Sequence, residues 1–225
     1  MAQHVNPPRA KPRKRSRRYD ATRRREQAAA TRRQILEAAQ RLFERDGYAA
    51  TSMAAIADEA GVALKTVYLA VESKSGLLRA IWNLRLRGDE EPAPVAERPW
   101  YREVLEEPDP ERQLRLNAHN AAAVKRRIGA LLAVIRDAAP SDPDVGALWG
   151  RIQSDFYENQ RAIVESVAAK GALRGGLDPG RAADIVWTLN HPSVYLLLAN
   201  ERGWSMDEYE RWLADAFCSQ LLGGR

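Results

Sequence analysis

The sequence predicts an all-α protein, and three observations carry that expectation. Apolar residues recur at helical spacing through most of the chain, and no segment alternates convincingly with period two. Asp109-Pro110, Asp142-Pro143 and Asp178-Pro179 each pair an N-cap acceptor with a proline at the first helical position, where no backbone donor is needed. Ser205-x-x-Glu208 marks a further helix start, because a serine and a glutamate three residues apart can each satisfy the other's free backbone N–H.

Composition sets the outer bounds. A chain of 225 residues, 45% hydrophobic and 29% charged, has the make-up of a soluble globular protein with a real core. No apolar run approaches the roughly 20 residues of a membrane span, so no membrane partner is expected. The basic N-terminus has no apolar stretch of the kind a secretory signal needs. Cys218 is the only cysteine, which excludes an internal disulfide and suits a reducing, cytoplasmic setting. The net charge of +5 conceals an asymmetry. Residues 1–33 hold twelve Lys or Arg against Asp20 and Glu26, a surplus of ten, so the remainder carries −5. Positive charge gathered at one end releases counterions from a phosphate backbone and points to nucleic acid.

In chain order, residues 1–25 read as a disordered basic arm, rich in Pro, Arg and Lys and nearly devoid of apolar residues. The first helix starts between Thr22 and Arg32 and runs to Asp46, with Ile35, Ala39, Leu42 and Phe43 on one face. Gly47 ends it, and Tyr48 can fold back on that face. Thr51 or Ser52 offers a hydroxyl cap to the next helix. From Met53 to Val71, Ile56, Ala57 and Ala60 form one short apolar stripe. Gly61 breaks it, and Val62, Val67 and Ala70 or Val71 resume it. Glycine enters a left-handed turn without steric cost, so two short helices can cross there as a helix-turn-helix. In that motif the second helix lies in the DNA major groove. A fourth helix continues from Ser73 through Leu77, Leu78, Ile81 and Leu84, and residues 88–99, with three prolines, read as a turn or flexible connection.

Beyond it, the helix after Asp109 runs through Leu114, Leu116, Val124 and Ile128, with a break or bend expected near Gly129 before Leu131–Ala139. The helix after Asp142 carries Val145, Leu148, Ile152, Ile163 and Val167 and stops at Gly171. The helix after Asp178 runs through Ile185, Leu189 and Val194 to Leu198, apolar on nearly every side, with a bend at Pro192. Such a helix must be covered all round, and a second subunit could supply part of the cover. The last helix shows Tyr209, Trp212, Leu213, Ala216 and Phe217.

The N-terminal third resembles a known family. Thr31-Arg32-Arg33-Gln34-Ile35-Leu36, Ala38-Ala39, Leu42-Phe43, Gly47-Tyr48, Thr51-Ser52, Ile56-Ala57, Ala60-Gly61-Val62, Thr66-Val67-Tyr68 and Ser73-Lys74 with Leu77-Leu78 are similar, without a gap over about residues 31–80, to the N-terminal domain of TetR-family transcriptional regulators. The resemblance implies a three-helix DNA-binding domain (residues 26–72), joined through a fourth helix to a helical dimerisation and ligand-binding domain (residues 73–225). It further implies a homodimer on a palindromic double-stranded DNA operator, acting as a repressor that a small-molecule effector releases. Two departures stand out. Ala63 occupies the place of a Ser or Thr cap on the recognition helix, and Leu69-Ala70-Val71 replaces a stretch that often carries an aromatic or histidine before a phenylalanine.

On the short second helix of the motif, Lys65, Thr66 and Tyr68 are the polar groups able to reach DNA, and Leu64 could meet a thymine methyl. Arg23, Arg24 and Arg25 belong to the basic arm. By resemblance, Thr51, Ser52 and Lys74 are phosphate contacts, which position a domain and specify no base. No catalytic residue, metal site or cofactor is expected: His4, His119 and His191 lack ligand spacing, and no phosphate-cradling or nucleophile motif occurs. For a ligand, the resemblance draws three helices together, and His119, Asn120, Trp149, Phe156, Tyr157, Trp187, Asn190, His191 and Tyr195 lie on them. Two other readings stay open on the sequence alone. One is a DNA-coating protein acting through its basic arm without an operator; the other is a small-molecule carrier or enzyme with an ancillary DNA-binding domain.

Overall fold

In the computed structural model, which describes residues 15–87 and 95–223, the chain opens with α1 (Arg15–Asp46), one uninterrupted helix. It starts earlier than the sequence reading expects. No glycine or proline interrupts residues 13–46, and Arg, Ala and Gln are strong helix formers. Residues 15–25 of the expected disordered arm are therefore helical, and residues 1–14 lie outside the described residues. Ile35, Ala39, Leu42 and Phe43 are buried on the face the spacing predicts. Gly47 ends the helix at φ +84°, and the Tyr48 ring folds back to 5.4 Å from that of Phe43.

Ser52 is the hydroxyl that caps α2 (Met53–Glu59), its Oγ accepting from the Ala55 N–H at 3.0 Å. Gly61, at φ +65°, turns the chain into α3 (Leu64–Ala70). Ala63 is the N-cap residue of α3 and makes no side-chain cap bond, as its methyl requires. From α4 (Lys74–Arg87), Leu77, Leu78, Ile81 and Trp82 are buried. They join Phe43, Tyr48 and Val67 in one core with Ile128, Leu131 and Ile135 of α6 (Pro110–Ala138) and Val145 and Leu148 of α7 (Pro143–Ala169). Apolar packing thus runs without interruption past the expected domain boundary at residue 72.

Three expectations for the second half need correction. The connection through residue 99 ends in an extra helix, α5 (Pro99–Glu106), with proline at its first position. Tyr101 and Val104 of α5 pack on Ile163, and the Tyr101 hydroxyl donates to the Asn159 carbonyl at 2.6 Å. The helix α6 continues through Gly129 without a break. A Cβ built there would lie 2.6 Å from Cε1 of Tyr195, so this glycine admits a ring rather than ending a helix. Pro192 divides its helix instead of bending it: α8 (Pro179–Leu189) stops, and α9 (Pro192–Leu196) begins with His191 as its cap. Proline has no N–H, and its ring clashes with the carbonyl four residues back. It also pushes the preceding residue out of the helical region, and His191 sits at φ −62°, ψ 140°.

The other signals hold. Asp109, Asp142 and Asp178 each accept backbone N–H bonds at the start of their helices, and Ser205 and Glu208 form the reciprocal box that opens α10 (Met206–Leu221). A wide, π-helical turn, Leu197–Glu201, links α9 to that start. Tyr209, Leu213 and Phe217 of α10 join Leu114, Val164 and Val186 in a second core. Among the described residues the architecture is all-α, with an isolated Leu173–Leu222 bridge and no strand.

Candidate nucleic-acid interface and ligand cavity

Val67 has no exposed surface and anchors α3 to the core, so the opposite side of this two-turn helix faces outward. Leu64, Lys65, Tyr68 and Leu69 share that side at i, i+1, i+4 and i+5. Leu64 is 41%, Tyr68 51% and Leu69 78% exposed, and Lys65 is exposed. Apolar side chains exposed in this way are of a kind that can meet thymine methyls, which are apolar targets in the major groove. Leu69 is not among the sequence candidates, although its spacing from Lys65 and Tyr68 carries the signal.

Thr66 is half-buried and faces a groove between α1 and α3 that Arg24, Gln27, Thr31, Arg32 and Leu69 also line. Arg23, Arg24 and Arg25 are exposed on the N-terminal part of α1. Arg32 donates from Nη1 to the Ala70 carbonyl, placing a cation at the C-terminal end of α3, where the helix dipole favours it.

The three expected phosphate contacts divide. Ser52 is exposed, and its hydroxyl hydrogen remains available to an acceptor while Oγ caps α2. Thr51 is 3% exposed and donates to the Gly47 carbonyl at 2.8 Å, so its side chain belongs to the turn and does not face a phosphate. Lys74 is half-buried, and its Nζ donates to the carbonyls of Tyr48 and Thr51 at 2.9 and 3.1 Å. It also lies 4.3 Å from the centroid of the Tyr48 ring. An ammonium has three donors, so one is left for an anion. Lys74 clamps the turn before α2 onto α4.

The same turn is tied to α7. The Tyr48 hydroxyl donates to Asp142 Oδ2 at 2.6 Å, while Oδ1 of Asp142 accepts from the first turn of α7. Ser75 Oγ donates to Asp144 Oδ2 at 3.1 Å. The Tyr48 hydrogen bond holds the Asp142 carboxyl below the usual carboxylate range, and burial pushes the Tyr48 hydroxyl up.

Between α4, α5, α6, α7 and the α8–α9 junction lies a cavity of about 130 Å³. On this measure a water needs roughly 10–15 Å³, so the space suits a small organic molecule. Trp82 and Leu86 of α4, Trp100 of α5, Val124 and Ile128 of α6, and Ile152 and Phe156 of α7 form apolar walls. The polar groups are few. Asn117 donates to Gln160 at 3.1 Å, Asn120 donates to the Trp100 carbonyl at 3.2 Å, and Lys125 Nζ donates to Asn190 Oδ1. Gln153 holds Oε1 buried without a partner. Lys125 is 5% exposed and takes part in no ion pair among the described residues, and burial lowers its ammonium pKa to about 7.

Of the nine ligand candidates from the sequence, Asn120, Phe156 and Asn190 line this cavity. Trp149 and Trp187 lie beside it, packed edge-on to His191 at 6.4 and 4.9 Å between centroids. His191 meets Gln153 at 2.7 Å, and burial, with Lys125 and Arg136 nearby, lowers its pKa. Tyr157 stacks outside, against Trp187, with its hydroxyl donating to Asp184 at 3.3 Å. Tyr195 fills the space over Gly129 and packs against Tyr209. His119 is exposed and pairs with Glu210 at 2.8 Å, away from the cavity. Sequence reasoning misses Lys125, Gln153, Trp82 and Trp100. Lys125 precedes Arg126-Arg127 and looks like one of three surface cations, while the two tryptophans sit on α4 and just beyond the expected connection.

Residues 35–81 match the family model described as bacterial regulatory proteins, tetR family. The chain is 29% identical over 164 residues to the HTH-type transcriptional regulator TtgR of Pseudomonas putida, covering 70% of this chain and 75% of that one. Among solved structures, a TetR-family transcriptional regulator from Mesorhizobium loti superposes with a TM-score of 0.65 at 22% identity, covering 87% of this chain and 98% of that one. SmeT in its complex with triclosan superposes with a TM-score of 0.67 at 20% identity, over 86% and 92% of the two chains. The helix-turn-helix sequence and the relative point the same way: residues 35–81 are those of the DNA-binding domain of tetR-family bacterial regulatory proteins, and the whole chain has the fold of regulators of that family.

Proposed function

We propose that this chain is a homodimeric repressor that binds a palindromic DNA operator through α3 and leaves it when a small-molecule effector fills the cavity. One observation carries the reading: both ends of α4 are in use. Trp82 and Leu86 wall the cavity, and Lys74, at the start of the same helix, grips the turn that sets α2 and α3. A helix of 14 residues spans roughly 20 Å and moves as a rod, so a ligand pressing on the tryptophan end shifts the DNA-binding end. In a dimer the two copies of α3 would meet successive major grooves, roughly 34 Å apart, and a small tilt of each α4 spoils that spacing. To reverse a 1:99 distribution between the two arrangements, the effector must favour one by about 5.5 kcal/mol.

The dimer has a natural face. Ile185 and Leu189 of α8 and Trp212 and Ala216 of α10 line a shallow surface groove, which a second copy would cover. The SmeT complex with triclosan is in keeping with a small, largely apolar effector. The test is a substitution that fills the space. Ala121 lines the cavity on α6, and Ala121→Phe places a ring where the effector would sit. Binding to duplex DNA flanking the chain's own gene is expected to weaken tenfold or more while the thermal midpoint is kept. A folded Ala121→Phe protein with wild-type DNA affinity would overturn the linkage.

A further inference from the structure

We propose that the effector is an amphipathic organic monoanion, with its acidic head on Lys125 and its apolar body between Trp82, Trp100 and Phe156. The proposal rests on the reading of the cavity as the effector site and deepens it.

Charge on the cavity lining is sparse and uneven. Lys125 is the one cationic side chain among the described lining residues, and Asp155, exposed on α7, is the one carboxylate. No carboxylate pairs with the lysine among the described residues. Its Nζ has a single neutral hydrogen-bond acceptor, Asn190 Oδ1, and an aromatic neighbour, the Tyr209 ring, 5.5 Å from centroid to Nζ. An ammonium has three donors, so two are left without an acceptor in a site 5% exposed. Burying an unpaired charge is costly, and a conformational or chemical change that supplies the opposite charge relieves that cost. An incoming anion is such a change. The lowered pKa of about 7 agrees, because it shows how poorly the surroundings hold the proton before a counter-charge arrives.

The size of the charge follows from the same inventory. One buried cation balances one negative charge. A dianionic phosphate ester would bring a second charge against Asp155 with no arginine in the lining to meet it. The rest of the lining is aromatic and aliphatic, which calls for an apolar body. Gln153 Oε1, buried without a partner, offers an acceptor to a hydroxyl or N–H carried on that body.

The experiment uses two probes with the same aromatic skeleton. 1-Anilinonaphthalene-8-sulfonate carries one negative charge, and N-phenyl-1-naphthylamine is its neutral counterpart. Both brighten on entering an apolar site, and binding in the cavity is the part that Ala121→Phe abolishes. In Lys125→Met, the anion is expected to lose tenfold or more in cavity affinity while the neutral probe keeps or improves its own. Equal losses for both probes, or an unchanged anion affinity, would overturn the proposal while leaving the cavity as a ligand site. Absence of any Ala121→Phe-sensitive binding of either probe would overturn both readings.

A wild-type measurement guards against misfolding of the variant. The ratio of anion to neutral affinity is followed from pH 6.5 to 8.5. It is expected to fall at least several-fold as the free ammonium loses its proton, since only the charged form holds the anion. The other groups facing Lys125 do not mimic this. His191, the cap of α9, is lowered by burial, Tyr101 on α5 is pushed up to about 12, and burial raises Tyr209 on α10. The other charged groups on the packed elements are Arg136 of α6, beside His191, and Asp155 of α7, exposed at the cavity rim. A flat ratio would overturn the proposal.

Discussion

Replacing Tyr48 with phenylalanine removes one hydrogen bond and leaves the packing intact. The ring still stacks 5.4 Å from Phe43 and still lies under Lys74. What disappears is the 2.6 Å bond from the hydroxyl to Asp142 Oδ2, the link from the turn before α2 to the first turn of α7. A hydrogen bond to a charged acceptor contributes about 1.5–3 kcal/mol. Asp142 is half-exposed, so water can replace the lost donor, and the low end, about 1.5 kcal/mol, is expected. With a urea slope of roughly 2 kcal/mol per molar, the unfolding midpoint falls by about 0.5–1 M at pH 7, with no change in slope. The pH dependence follows from the sign of the shift. Asp142 is depressed in the folded state, chiefly by this bond, so the stabilisation is fully present above the unfolded carboxyl value of about 4. It is lost as pH falls through the lower folded value. The Tyr48→Phe penalty should therefore be full at pH 7 and shrink towards pH 3. Urea melts of both proteins across that range are the assay. An unchanged midpoint at pH 7, or a penalty undiminished by acid, would refute the reasoning.

Other substitutions probe single elements. Ala63→Ser supplies the missing cap of α3 and should stabilise the protein by about 0.5–1 kcal/mol in the same melts. Gly129→Ala drives a methyl into the Tyr195 ring and should cost about 1–3 kcal/mol; pairing it with Tyr195→Ala should make the glycine change nearly neutral. Replacing Arg23, Arg24 and Arg25 together with alanine should weaken binding to specific and scrambled duplexes alike and flatten the salt dependence by up to about three phosphates' worth, read by anisotropy over a salt series.

Helix starts are the most legible feature of the sequence, because their chemistry is local. Asp109, Asp142, Asp178 and Ser205 need only a neighbour or two to act, and each does so where expected. The turn glycines Gly47 and Gly61 are legible for the same reason. Gly129 misleads because its cause is Tyr195, 66 residues away, which no local window contains. Pro192 misleads in degree: a proline can bend or end a helix, and here the His191 side chain, accepting from the Ser193 N–H, favours the end. On the DNA side, Lys65 and Tyr68 are exposed, whereas Thr51, a phosphate contact by resemblance, is buried. The hydroxyl of Thr51 instead closes the Gly47 turn. The cavity is the least legible part. Its polar centre depends on Lys125 and Asn190, 65 residues apart, and nothing in the run Lys125-Arg126-Arg127 marks its first member as buried.

The most direct test of the account is a quantitative mobility shift at 0.15 M salt, comparing duplex DNA from the region flanking the gene with a scrambled duplex of equal composition. The exposed face of α3 predicts a preference for the native duplex of about a thousandfold or more, abolished by Lys65→Ala with Tyr68→Ala in a protein that keeps its thermal midpoint. Equal affinity for both duplexes, or a preference that survives the double substitution, would contradict it.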